Sequence, residues 1–226
     1  MTTFDRLLAE ATPLIRAGLH QRDSPPVEGG RWPVGVILRP DQASAARLEA
    51  VMVEAEVYAG PGHFRTGVSG SVHFTVRALE GYRDVVVDQD EAVRRYARAM
   101  GRAAGRVDVI GLDLVGLTLT PTSVMIRAAP VDDNAERFVD ALEEELGDDA
   151  WHEAGFTRDI WYATILHFAA DIAHPAELVE WVADRRGLDL GCMAMDTAEL
   201  VRFRYEEGAD GRLMRPEVLA RAPMGC

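Results

Sequence analysis

The sequence predicts an α+β protein in which one strand–helix–strand unit is stated twice. Two observations carry that reading. "VGVILRP" closes at Pro40, a helical pattern and a Gly-rich loop follow, and "SVHFTV" opens at Ser71; later "SVMIRAAP" closes at Pro130, a helix and a loop follow, and "ILHFAA" opens at Ile165. The spacing also agrees: Pro40 to His73 is 33 residues and Pro130 to His167 is 37. Order, element type and period match together, which sets an internal repeat apart from a chance word. The chain has 226 residues, of which 48% are hydrophobic and 27% charged, enough for a substantial core.

The elements follow in order. Phe4, Leu7, Leu8 and Ala11 recur at helical spacing, so residues 3–11 read as an amphipathic helix ended before Pro13. "QRDSPPVEGGR" (21–31) is turn and linker material. Residues 34–39 read as a buried strand, and Leu48, Val51, Met52 and Ala55 mark a helix. A Gly-rich loop (60–70) precedes the strand "SVHFTVRAL". Val93, Tyr96, Ala97 and Met100 mark a further helix, and strands follow near 109–119 and 122–129. Ala135, Phe138, Leu142 and Leu146 give another helix, with Asp133 or Asn134 as its N-cap. Residues 159–170 form the longest apolar run and read as a strand, and Pro175 opens a helix through Val182. "AELVRFRYEEGADGR" reads as a strand running into a Gly turn, and Pro216 to Arg221 as a closing helical turn.

Charge narrows the function classes. Lys plus Arg is 24 and Asp plus Glu is 37, a net charge of −13. An acidic chain captures polyanions poorly, so neither long nucleic acid nor a membrane surface is expected as a partner. Cys192 and Cys226 form no disulfide framework or zinc pattern. No run of 18 apolar residues occurs and the N-terminus is too charged for a secretory leader, so a cytoplasmic protein is expected, with a monomer favoured. "ALEEELGDD" (141–149) reads as a solvated acidic helix face rather than a metal site.

Alternation along a strand puts Ser71, His73, Thr75 and Arg77 on one face, with Val72, Phe74 and Val76 packing on the other. The same rule groups Ala163, Ile165, His167 and Ala169. Two units related by approximate two-fold symmetry bring these faces together over one cleft. Two facing imidazoles suit proton exchange, one taking a proton from an attacking oxygen and the other giving one to the leaving oxygen. Thr75 can donate its hydroxyl to a phosphoryl oxygen.

"HFTV" at His73 is an H-x-T-x motif, and "HFAA" at His167 is its degenerate partner. The pair, in its repeated context, resembles the 2H phosphoesterase superfamily, which contains RNA 2′,3′-cyclic phosphodiesterases and RNA-ligase-like enzymes. The resemblance covers roughly residues 33–205. It implies two similar lobes, each an antiparallel sheet flanked by helices, around a central cleft. Residues 1–32 then form an N-terminal helix and linker, and 33–226 a single bilobal domain. It also implies metal-independent chemistry, with no cofactor, on a small phosphodiester or short RNA end. His73 and His167 become the acid/base pair, in either order, and Thr75 a phosphate ligand.

Ala169 stands where the family has a second Thr or Ser, so a hydroxyl donor is missing. Ser71, Thr164 and Tyr162 are candidate replacements, and strand parity favours Ser71. Arg77, on the His73 face, is the preferred phosphate clamp over Arg65 and Arg127. Tyr162, Tyr58 and Trp161 are candidates for stacking on a base. His63 reads as an exposed loop histidine, and His20 carries no role. Two other readings stay open: a module of the same fold that binds without turnover, and a protein whose histidines are structural.

Overall fold

The computed structural model describes residues 1–87, 89–156, 159–209 and 211–225; Cys226 lies outside the described residues. Helix α1 (Thr3–Arg16) opens with a capping box between Thr2 and Asp5. It runs through Pro13 rather than ending before it, because the added turn buries Ile15 completely. β1 (Val34–Leu38), α2 (Gln42–Ala59), β2 (Phe74–Glu80) and α3 (Glu91–Ala104) follow. Then come β3 (Ile110–Thr120), β4 (Ser123–Pro130), α4 (Asn134–Leu146), a 3-10 turn (Gly147–Glu153) and β5 (Trp161–His167). α5 (Pro175–Asp184), β6 (Cys192–Met195), β7 (Thr197–Gly208) and β8 (Gly211–Pro223) complete the chain.

The strands form two four-stranded antiparallel sheets, ordered β2-β1-β7-β8 and β5-β4-β3-β6. Each repeated unit, β1-α2-β2 and β4-α4-β5, supplies the outer pair of its sheet, and the expected two-lobed α+β architecture is the one observed. The closing helical turn at Pro216–Arg221 is instead part of β8, which pairs with β7 along its length. Pro216 is tolerated because β8 is an edge strand, where a missing N–H costs no ladder bond on the outer side. β6 carries no periodic signal and was not anticipated.

The acidic stretch of α4 is used rather than merely solvated. Arg102 and Arg106 pair with Glu145, Arg106 also with Glu144, and Arg95 with Asp149, tying α3 to α4 and the turn after it. Most buried side chains form one continuous core. A second, smaller cluster of Trp32, Ile37, Phe64, Tyr82, Val201, Phe203 and Met214 covers the inner face of the β2-β1-β7-β8 sheet.

Residues 21–33, expected to be plain linker, form a strap across both lobes. Gln21 N–H bonds Pro121 C=O at 2.8 Å and Asp23 N–H bonds Phe168 C=O at 2.6 Å, in the second lobe. Gly29 N–H bonds Tyr82 C=O and Tyr82 N–H bonds Gly30 C=O, each at 2.8–2.9 Å, in the first. The strap lies so close there that a Cβ at Gly81 would collide with the Gly29 carbonyl.

Candidate active site

A cavity of about 290 Å³ opens between the lobes. Gly35, Ile37, His73, Thr75 and Phe203 line it from the first lobe. Tyr162, Thr164, His167, Met125 and the hydroxyls of Thr120, Thr122 and Ser123 line it from the second, and Arg31, Trp32 and Pro33 from the strap. The two imidazoles are joined by an aromatic chain: His167 lies 4.7 Å from Trp32, Trp32 5.7 Å from Phe203, and Phe203 5.0 Å from His73, centroid to centroid. Trp32 reaches this place with φ at 73°, a left-handed conformation that costs a bulky residue about 1–3 kcal/mol. Its packing on Phe64, His167 and Phe203 holds it there. A larger recess of about 660 Å³ lies under Arg39, Asp41, Asp196 and Glu199. It contains neither histidine, and its buried Glu199 is neutralised by Arg39 and Arg221.

Pairing registers explain which side chains reach the cleft. In β2, Val76 is an extra residue: Ile37 faces Thr75 and Val36 faces Arg77. In β5, Ile165 is the extra residue: Met125 faces Thr164 and Val124 faces Leu166. A bulge reverses the alternation beyond it. Arg77 therefore turns away from the cleft. It is 3% exposed, pairs with Glu143 at 3.0 Å and donates to the Ala150 carbonyl at 3.2 Å, so it is not the phosphate clamp expected from parity. Conversely, Thr164 and Tyr162 come to the same side as His167, against the parity expectation.

The two bulges occupy corresponding places, and they fix how the repeat superimposes. Ile37 matches Met125, Thr75 matches Thr164, and Val76 matches Ile165. Counting back from the threonines, His73 matches Tyr162; counting beyond the bulge, Ala78 matches His167. The counterpart of "HFT" is thus "YAT" at Tyr162–Thr164, not "HFA" at His167–Ala169. A second threonine is thus present at the corresponding place, and the histidine of this strand, His167, stands at a different one.

The remaining candidates fall elsewhere. Ser71 is fully buried ahead of β2 and its hydroxyl has no partner, so it is not the replacement donor. Ala169 lies past the end of β5, half-buried against the smaller apolar cluster, and does not line the cavity. Arg65 pairs with Glu56 at 2.6 Å, and Arg127 lies over Phe4. Trp161 is buried and Tyr58 packs on Trp181, which leaves Tyr162 as the stacking candidate in the cleft. His63 is buried, not exposed. Its Nε2–H donates to Ala59 C=O at 3.1 Å and its Nδ1 accepts Ala169 N–H at 3.1 Å, so it ties the loop to the chain after β5. His20 does the same for the strap, bonding Ala170 C=O at 2.9 Å. Arg31, Trp32 and the hydroxyls of Thr120, Thr122 and Ser123 were missed. The run "TLTPTS" (118–123) was the available signal for the hydroxyls; the strap offered none.

The two cleft histidines differ in their settings. His73 Nδ1 lies 2.8 Å from Ser71 C=O. A carbonyl only accepts, so Nδ1 carries the proton and Nε2 is left with its lone pair. Burial pushes this imidazole down to about 4, with the charges of His167 and Arg39 adding to it. His167 Nδ1 lies 3.0 Å from Asp23 Oδ2 and 3.4 Å from Arg31 Nη2. The nearer group is the carboxylate; the guanidinium contact is long, and Arg31 is also committed to the other Asp23 oxygen. Oδ2 meets no donor in hydrogen-bond alignment, so it acts on the Nδ1 edge by its proximity and charge. Burial lowers the His167 imidazole, and Asp23 opposes that shift. Among the described residues, no group of three or more His, Cys, Asp or Glu is placed to hold a metal ion, and no helix is long and apolar enough to cross a membrane.

No model of a known protein family matches the sequence, and no curated protein matches it. Solved structures do match the fold. TT0787 of Thermus thermophilus is 19% identical, with 84% of this chain and 96% of that one covered and a TM-score of 0.57. E. coli LigT, in its complex with 3′-AMP, is 11% identical over 85% of this chain and 97% of its own, with a TM-score of 0.56. A structure described as a phosphoesterase is 10% identical over 85% and 97%, with a TM-score of 0.54. Two repeated antiparallel sheets about one cleft, with these neighbours, give the chain the two-lobed fold of the 2H phosphoesterases.

Proposed function

We propose that this protein is a 2H-type phosphoesterase that hydrolyses, or opens by transesterification, a small phosphodiester such as a 2′,3′-cyclic nucleotide, without a metal ion. The observation that carries the reading is the convergence of His73, His167, Thr75 and Thr164 on one cavity. The cavity is at the small end of ligand pockets, which run ~300–1,000 Å³, and so favours a nucleotide-sized ligand over a polymer. LigT, of similar fold, has been solved with 3′-AMP, which points the same way.

In this mechanism the threonine hydroxyls donate to the non-bridging phosphoryl oxygens from opposite lobes. Arg31 supplies positive charge beside them. The histidines exchange protons with the attacking and leaving oxygens, and Tyr162 packs against a base or sugar. The test is turnover of the four 2′,3′-cyclic nucleotides in EDTA by wild type, His73→Ala and His167→Ala. Wild-type turnover that falls by ~10²–10⁴ in each variant supports the reading. Equal turnover in either variant overturns the two-histidine mechanism.

A second reading is favoured by Tyr162. A phenol stands where the repeat would place the second histidine, as in a site kept for binding alone. It predicts nucleotide binding by calorimetry with no turnover of any of the four substrates.

A further inference from the structure

We propose that Asp23, on the strap ahead of β1, is the positioning residue for His167, and that it makes His167 the proton donor and His73 the base. The proposal rests on the phosphoesterase reading for its chemistry but not for its geometry.

His167 is not the repeat counterpart of His73: β5 places its backbone opposite Ser123, but no repeated element holds its imidazole. The strap does. Asp23 is 8% exposed on its side chain, its N–H is fixed on Phe168 C=O, and its Oδ2 sits 3.0 Å from His167 Nδ1. Trp32, from the same strap, packs against the imidazole. A carboxylate at Nδ1 favours the tautomer and the charged form with a proton there, which leaves Nε2–H for the cleft. His73 has only a carbonyl at Nδ1, and Arg39 adds a positive charge nearby, so the pair's proton is better held on His167.

The step then balances. The attacking O–H gives its proton to His73 Nε2 as its oxygen bonds phosphorus. The P–O ester bond breaks, and the departing oxygen takes the proton from His167 Nε2. Solvent returns both rings to their starting states.

The titratable and charged groups around His167, among the described residues, are Asp23 and Arg31 on the strap, His73 across the cleft and Tyr162 on β5. Asp23 holds a proton on His167 and Arg31 repels it. The two substitutions therefore have opposite signs. Asp23→Asn moves the His167 titration to lower pH, and Arg31→Gln moves it to higher pH.

The experiment is a pH titration of ¹⁵N-histidine-labelled protein by NMR, on wild type, Asp23→Asn, Asp23→Glu and Arg31→Gln. The expected result is an Nδ1–H signature for neutral His167, a downward shift of half a unit or more in Asp23→Asn, recovery in Asp23→Glu, and an upward shift in Arg31→Gln. In kcat/KM, the alkaline limb moves down in Asp23→Asn, and the optimum falls about tenfold. An Nε2–H tautomer in the wild type, or an unmoved His167 in Asp23→Asn, overturns the proposal. Should Asp23→Asn fail to fold, the wild-type tautomer decides: Nδ1–H supports the proposal and Nε2–H overturns it. If the titrations move as expected but no cyclic nucleotide is turned over, the phosphoesterase reading fails and the positioning role stands.

Discussion

The two half-sites of the cleft share a bulged strand and a threonine and differ in where the imidazole stands. Each sheet presents a bulged outer strand with a threonine before the bulge, Thr75 in one and Thr164 in the other. Two residues before it stands His73 in the first half and Tyr162 in the second. The first half keeps histidine and threonine on one strand, anchored by the local Ser71 carbonyl. The second keeps its threonine, puts a phenol at the histidine position, and brings an imidazole from beyond the bulge, anchored from 144 residues away by Asp23. The comparison teaches that the threonines follow the repeat, while the setting of the imidazole in the second half depends on the strap.

The strongest way to break that comparison is to return the second histidine to its repeat position. His167→Ala is expected to lose ~10²–10⁴ in kcat. In that background Tyr162→His should recover tenfold or more, because the new imidazole occupies the counterpart of His73. Assay of the double variant against His167→Ala decides it. No recovery would mean that the cleft needs its imidazole where the strap holds it.

The next effect is on stability. The His73 imidazole is pushed to about 4 in the folded protein, against 6.5 unperturbed, and His167 is lowered in the same direction. The unfolded chain therefore takes up protons below pH 6.5 that the folded chain refuses until about 4. Stability is full above pH 6.5 and falls as pH drops towards 4, by no more than about 3 kcal/mol from His73, less because its ring is partly open to the cleft. Urea midpoints at pH 7.5 and 4.5 measure the fall. His73→Gln should narrow the gap between them; an unchanged gap would place the acid sensitivity elsewhere.

Close behind come the threonines. Thr75→Val and Thr164→Val each remove a hydroxyl donor to a charged oxygen, about 1.5–3 kcal/mol, or roughly 10–150-fold in kcat/KM. As repeat counterparts they should cost similar amounts. A large loss at Thr75 with none at Thr164 would show that only the first half grips the phosphate.

These tests fall on residues that the sequence made visible to different degrees. His73 and Thr75 were legible because they precede the bulge, where alternation still counts correctly. Arg77, Thr164 and Tyr162 were misplaced because one extra residue, Val76 or Ile165, reverses the faces, and an apolar residue within an apolar run leaves no mark. The order of strands and helices was legible from period and spacing; β8 was not, because Pro216 reads as a breaker until its edge position is known. Asp23, Arg31 and Trp32 were hidden for a different reason. A strap has no period, and its contacts with Phe168, His167 and Tyr82 are long-range.

The smallest expected effect is at Ala169. If "HFA" were a weakened copy of "HFT", Ala169→Thr would restore a phosphate donor and raise kcat/KM by tenfold or more. The register argues otherwise: the second threonine is already present as Thr164, and Ala169 packs beyond the strand end, with its N–H given to His63. A threonine there adds a methyl and a hydroxyl to an apolar contact and reaches no phosphate. Ala169→Thr should therefore leave kcat/KM within twofold while lowering the melting temperature by a few degrees, since burying an unpaired hydroxyl costs about 1–3 kcal/mol. A gain in rate would restore "HFA" as the second half-site and undo the correspondence drawn from the bulges.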